Sequence, residues 1–307
     1  MLPRPSSGSM FDAYRPHEAL VHPARPTASL VRLVLGAVML AVLFLSLIFA
    51  ASALLNIVAP ATSWDSTFGD LETGDTPAGV LANLYLFGFI IVALAMTGRA
   101  IHGRALPSFV GDLRLARLHF ARVCLYMVGL HLALSILLPA TPGLTPEANI
   151  DTTRWLTFLP LALPALLIQT GAEELVFRGY LQSQLAARFA NPRIWIIVPS
   201  MCFGMLHYDP AINGDATWLI VGWATLFGIA AADLTARTGT IGAALGLHFV
   251  NNFFAILVAA PAGNFDGLAL YTYPFALGDT DALWLWAPLD LMLLLVSWLT
   301  ARLALRV

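Results

Sequence analysis

Eight apolar stretches, separated by polar or proline-containing segments, dominate the chain. They run over approximately 30–57, 79–98, 118–139, 156–186, 194–209, 215–235, 240–260 and 283–302. A helix needs about 20 apolar residues to cross a bilayer. The fifth stretch is shorter than that and the fourth longer. Only helices and closed barrels satisfy their own backbone groups inside a membrane, and uninterrupted apolar runs select helices. The pattern therefore predicts an all-α, polytopic membrane protein with about eight transmembrane helices.

The polar segments between the stretches set a direction. Arg4, Arg15, Arg25 and Arg32 precede or open the first stretch, and Arg99, Arg104, Arg114 and Arg117 lie between the second and third. Arg188 and Arg193, then Arg237, then Arg302 and Arg306 follow the fourth, sixth and eighth. The alternate loops are poor in arginine, and "ATSWDSTFGDLETGDTP" carries four acids and no base. The bias of basic residues toward the cytoplasm predicts N- and C-termini both inside. Trp155, Trp218, Trp284 and Trp286 then fall at outer ends, and Trp195 and Trp298 nearer inner ends. Residues 1–29, with Pro3, Pro5, Pro16, Pro23 and Pro26, read as a disordered cytoplasmic tail. Residues 30–150 read as N-terminal transmembrane helices and 151–262 as a helical core. Residues 263–307 read as an outer loop and final helix.

Composition agrees. The 307 residues are 59% hydrophobic and 11% charged, with a mean hydropathy of +0.78. Soluble domains carry about 25% charged residues. A net charge of −2, with all 16 basic residues arginine, gives no case for nucleic acid as a partner. Cys124 and Cys202 lie in apolar stretches with neither disulfide nor zinc-ligand spacing.

Against that background the charges inside the stretches stand out. "IQTGAEELVFRGY" places Glu173, Glu174 and Arg178 in the fourth. Three uncompensated charges at helix centres would cost on the order of 8–10 kcal/mol. Glu174 and Arg178 are four apart, so they share a face and pair in the favourable order. Glu173 points about 100° away around the helix, free for other partners. The fifth stretch holds Phe203 and His207 and the seventh His248 and Asn252, each pair four apart. At about 1.5 Å per residue, Glu173 and His207 lie on the order of 20 Å, and His248 about 12 Å, from the arginine-rich ends of their helices. All three fall near mid-membrane depth, where ionisable residues mark function. Asp233 and Arg237 read as an interfacial ion pair, while His131 and Asp290 have no partner in sequence.

"EELVFR", "FGMLH" and "HFVNN" match the EExxxR, FxxxH and HxxxN motifs, in that order, on successive apolar segments. The chain resembles, over about 160–260, the type II CAAX prenyl endopeptidase and bacteriocin-processing family, known as CPBP or Abi. The resemblance implies an intramembrane endopeptidase with its catalytic core in 151–262. Glu173 and His207 would hold and activate a water, and His248 and Asn252 would stabilise the oxyanion. Glu174 and Arg178, with Phe203, would support them. No cofactor is firmly implied. Glu173, His207 and His248 would leave a fourth position open on a divalent metal such as Zn2+, as catalytic zinc sites do, but a metal-free glutamate mechanism fits the same residues. The implied partners are the bilayer and a peptide or protein substrate, with a lipidated or membrane-bound one included, in a bacterial inner (plasma) membrane. Two competing readings are a non-catalytic immunity or peptide-binding protein and a proton-coupled transporter.

Overall fold

The computed structural model describes residues 10–58, 73–137 and 145–307. Among the described residues, six helical segments are long and apolar enough to cross a membrane: Leu30–Leu54, Pro77–His102, Leu113–Leu137, Thr152–Arg188, Pro210–Thr238 and Thr280–Leu305. The fifth and seventh predicted spans are helical but shorter, Pro192–Met205 and Gly242–Val258. The chain is an integral membrane protein. The acidic loop after the first helix lies mostly outside the described residues.

We number the main helices α1 (Leu30–Val58), α2 (Pro77–Leu86), α3 (Gly88–His102), α4 (Leu113–Leu137), α5 (Thr152–Glu174), α6 (Ser183–Arg188), α7 (Pro192–Met205), α8 (Thr217–Thr238), α9 (Gly242–Asn252) and α10 (Thr280–Leu305). Their ends follow local chemistry. Asp151 caps α5 by accepting from the Thr153 and Arg154 amides, and Asn191 caps α7 through the Arg193 amide, with Pro192 in the first turn. α3 and α8 stop at Gly103 and Gly239, both left-handed.

Two stretches depart from regular α-helix. Leu175–Gln182 is a π-helical turn joining α5 to α6, and Phe253–Val258 is another, continuing α9. π turns inside α-helices concentrate at functional sites, and both of these adjoin the charged motifs.

α9 is the centre of the bundle. It runs parallel to α4: Thr240, just before α9, meets His119, Gly246 meets Cys124, and His131 stacks on Phe254 at 4.1 Å. Its apolar face joins Val123, Met127, Phe203, Phe227 and Leu294 in the largest core cluster. α7 and α8 lie close because Gly204 sits on Val221 and Thr225, and Gly228 on Ser200. Small residues at such contacts let membrane helices approach. α1 is mostly exposed, with Val34, Val38, Val42, Leu45 and Phe49 facing outward. In a bilayer those side chains meet lipid.

The structure corrects one expectation. Residues 1–9 of the proposed disordered tail lie outside the described residues, but 10–27 fold into short helical turns. Leu20 and Ala24 there are fully buried. Pro16 and Pro23 stand in the first turns of 3-10 segments, where proline's fixed φ suits the backbone. Prolines that looked like disorder instead shape a cap over the arginine-rich end. The all-α reading fits, with one small sheet beside the helices. β1 (Glu147–Ala148) pairs antiparallel and β2 (Ala259–Pro261) pairs parallel with the central β3 (Tyr271–Tyr273). This small sheet satisfies backbone groups of loops at the opposite end, as buried or half-buried backbone requires.

Candidate active site

Glu173 and Glu174 close α5, and the π turn begins at the next residue. Their carboxylates diverge. Glu174 is fully buried and Arg178 is 1% exposed. They form an ion pair at 3.1 Å. Arg178 also donates to the Gly228 carbonyl at 3.3 Å, and its guanidinium lies 4.9 Å over the Phe203 ring. The ion pair is close but poorly aligned as a hydrogen bond, since Arg178 Nη1 has no partner of good hydrogen-bond geometry. Coulomb attraction in a low dielectric, with the cation–π contact, holds the arginine.

His248 ties the two glutamates together. Its Nδ1 is 2.8 Å from Glu174 Oε1, and its Nε2 is 3.4 Å from Glu173 Oε2. A carboxylate only accepts, so the short bond places a proton on Nδ1. The ring packs edge-on against Phe203 and Phe227. Glu174 therefore serves Arg178 and His248 at once. The sequence accounts for the first partner but not the second.

Glu173 is only partly buried. It shares a cavity of about 60 Å³ with Gln169, Phe203, His207, Trp223, Phe227, His248, Asn251 and Asn252. That is room for a few waters. His207 stands just past the end of α7, in the turn after Met205. Its Nδ1 is 3.0 Å from the Phe203 carbonyl, so Nδ1 carries the proton and Nε2 is left with a lone pair. Asn252 ends α9 and donates to Gln169 Oε1 at 3.0 Å, while Asn251 donates to Asn252 Oδ1 at 3.2 Å.

Three segments distant in sequence thus bring Glu173, His207, His248 and Asn252 to one cavity. Phe203 lines it as an apolar platform, 2% exposed. Gln169, Asn251, Trp223 and Phe227 also line it and were not singled out from sequence. Gln169 carried a signal: it stands four residues before Glu173, on the same helical face.

The three side chains weighed as metal ligands, Glu173, His207 and His248, line this one cavity. Among the described residues, no group of three His, Cys, Asp or Glu side chains is arranged to hold a metal ion.

Away from this cavity, Asp233 and Arg237 form the expected ion pair at 2.9 Å. Tyr14 and Trp298 add hydrogen bonds to Asp233, tying the N-terminal turns to α10. Asp290 makes no hydrogen bond or ion pair among the described residues.

Comparison with known proteins agrees with the motif positions. A family model described as "Type II CAAX prenyl endopeptidase Rce1-like" matches residues 155–254. A Bacillus subtilis (strain 168) protein, printed as the uncharacterized protein YyaK, is 36% identical over 107 residues. That alignment covers 34% of this chain and 36% of the relative, so the two share about a third of their lengths. No solved structure matches.

Proposed function

We propose that this chain, whose residues 155–254 match the Rce1-like type II CAAX prenyl endopeptidase model, is an intramembrane endopeptidase that cuts a peptide bond near the bilayer. The observation that carries the reading is the single cavity shared by Glu173, His207, His248 and Asn252.

The geometry supports a water-mediated mechanism. His207 Nε2 and the Glu173 carboxylate are both acceptors, so one water between them is held by its two protons. Its oxygen lone pair is then free to attack a carbonyl carbon. Glu173 takes a proton as the C–O bond forms, a role worth roughly 10²–10⁴ in rate. The carbonyl becomes an oxyanion, which accepts from the Asn252 amide and from Nε2–H of His248. With protons on both nitrogens, His248 and Arg178 balance the two glutamates. Glu173 then passes its proton to the departing amine as the C–N bond breaks. Glu174 does not touch the substrate: it holds His248 in orientation and Arg178 in place.

The substrate in this reading is a membrane-bound peptide or protein, lipidated ones included. The arginine distribution supports cytoplasmic N- and C-termini, and the Bacillus subtilis relative supports a bacterial plasma membrane. The test compares membrane peptides from cells carrying wild type or Glu173→Ala. The reading expects defined cleavage products with wild type and their loss in the variant. Identical peptides from both would overturn it.

A further inference from the structure

We infer that Gln169 is a further catalytic residue, whose side-chain amide donates hydrogen bonds to the carbonyl oxygen of the bond being cut. The inference rests on the endopeptidase reading and adds a donor to it.

Three side-chain amides form a directed chain. Asn251 Nδ2 donates to Asn252 Oδ1 at 3.2 Å, and Asn252 Nδ2 donates to Gln169 Oε1 at 3.0 Å. Each bond uses an amide oxygen as acceptor, so the orientation of every amide is fixed by the next. Gln169 ends the chain. Its oxygen is occupied, and its nitrogen carries two N–H groups that meet no protein acceptor among the described residues.

That nitrogen is not walled in. Gln169 is 7% exposed, yet its nitrogen is absent from the fully enclosed side-chain atoms that lack partners. Gln169 lines the cavity that Glu173 and His207 line, so its N–H groups have that space to donate into. An amide donor left unmet at such a site costs about 1–3 kcal/mol, and a helix has little reason to carry one unless water or ligand takes it. Gln169 also sits one turn before Glu173 on the same face of α5. Donor-bearing side chains from α5 and α9 then line one cavity: Gln169 from the first, Asn252 and His248 from the second. A single donor to a developing oxyanion is worth roughly 10²–10³ in rate.

The plainer role for Gln169 is a tie between α5 and α9, which needs only its oxygen. Gln169→Glu separates the two, because it keeps an acceptor for Asn252 and the side-chain shape but removes both N–H groups. Gln169→Met removes acceptor and donors together. The assay follows, in reconstituted vesicles, a peptide whose cleavage is lost in Glu173→Ala. Thermal midpoints are measured on each purified variant.

A donor role predicts that Gln169→Glu keeps its midpoint within a few degrees while kcat falls roughly 10²–10³-fold and KM changes little. If Gln169→Glu does not fold, a folded Gln169→Met with the same loss of kcat carries the result. Wild-type kcat in either folded variant overturns the inference and leaves the endopeptidase reading standing. Loss of fold in both assigns Gln169 the tie alone and also overturns it. A Glu173→Ala variant that loses no peptide fells the endopeptidase reading and this inference together.

Discussion

Two polar clusters hang on the same continuous helix, and they are finished differently. Toward one side, Gln169 and Glu173 meet His207, His248 and Asn252 around a cavity. Toward the arginine-rich end, Tyr180, Ser183 and Gln184 meet Thr27, His102 and Arg104. There His102 bridges Tyr180 at 2.9 Å and Thr27 at 3.1 Å. Arg104 donates to Ser183, Ser108 and the carbonyls of Ser108 and Leu20, and its guanidinium covers Phe109 at 4.2 Å. The atoms left over in this second cluster, such as Gln184 Oε1, are enclosed. The first cluster has enclosed atoms too, Glu174 Oε2, Arg178 Nη1 and Trp223 Nε1, but it also has Glu173 and His207 lining a cavity. Burying polar groups among membrane helices is therefore not itself a mark of catalysis. What distinguishes the two clusters is whether unmet groups face a space that a substrate can enter.

The sharpest way to separate them is to break the pair at the foot of the first. Arg178→Met leaves Glu174 buried without its cation, which costs roughly 3–5 kcal/mol and should appear as a large fall in thermal midpoint. Adding Glu174→Gln removes the stranded charge and should restore most of that stability. It also takes away the carboxylate that orients His248, so cleavage should stay at least about tenfold down by the usual effect of losing an orienting partner. A double variant with wild-type cleavage would show that Glu174 serves the fold alone.

The second cluster should give the opposite result. Burial pushes the Arg104 guanidinium down to about 10, slightly offset by Tyr180, so it stays charged at neutral pH with no carboxylate to meet it among the described residues. Arg104→Met strands the Ser108 and Leu20 acceptors and should lower stability by about 1–3 kcal/mol. Cleavage per folded molecule should not change. A variant with unchanged midpoint and reduced turnover would end the distinction between the clusters.

Much of this arrangement was legible in the sequence, for reasons that also mark where legibility stops. Apolar runs located the helices, since bilayer thickness imposes their length, though Pro192–Met205 and Gly242–Val258 are shorter than a full crossing. The four-residue spacing of Glu174 and Arg178 predicted their pair because helix geometry is local. The bond between His248 and Glu174 was not legible: it joins residues 74 apart and depends on how α9 packs against the π turn. Gln169 was not singled out, because its bond from Asn252 joins residues 83 apart. The strands of two or three residues are too short to carry an alternation pattern. The prolines of the N-terminal turns resembled disorder because only the surface they cover shows them to be ordered.

The smallest effect concerns that cover. His17 is 3% exposed, tilted against Trp195 with ring centroids 4.8 Å apart, and pushed down to about 4 by burial, with Glu18 opposing weakly. A base with a depressed folded pKa takes up its proton more readily when unfolded. Its penalty is therefore absent above the ordinary value near 6.5, grows as pH falls through the window down to about 4, and is constant below. At pH 5.5 linkage gives about 1.4 kcal/mol, or roughly tenfold in the undocking of residues 10–27. Hydrogen exchange across these turns should quicken by that factor between pH 7.5 and 5.5, after correction for intrinsic rates. His17→Phe keeps the ring contact with Trp195 without a titrating group and should abolish the change. Equal pH sensitivity in that variant would place the titrating group elsewhere than at this buried histidine.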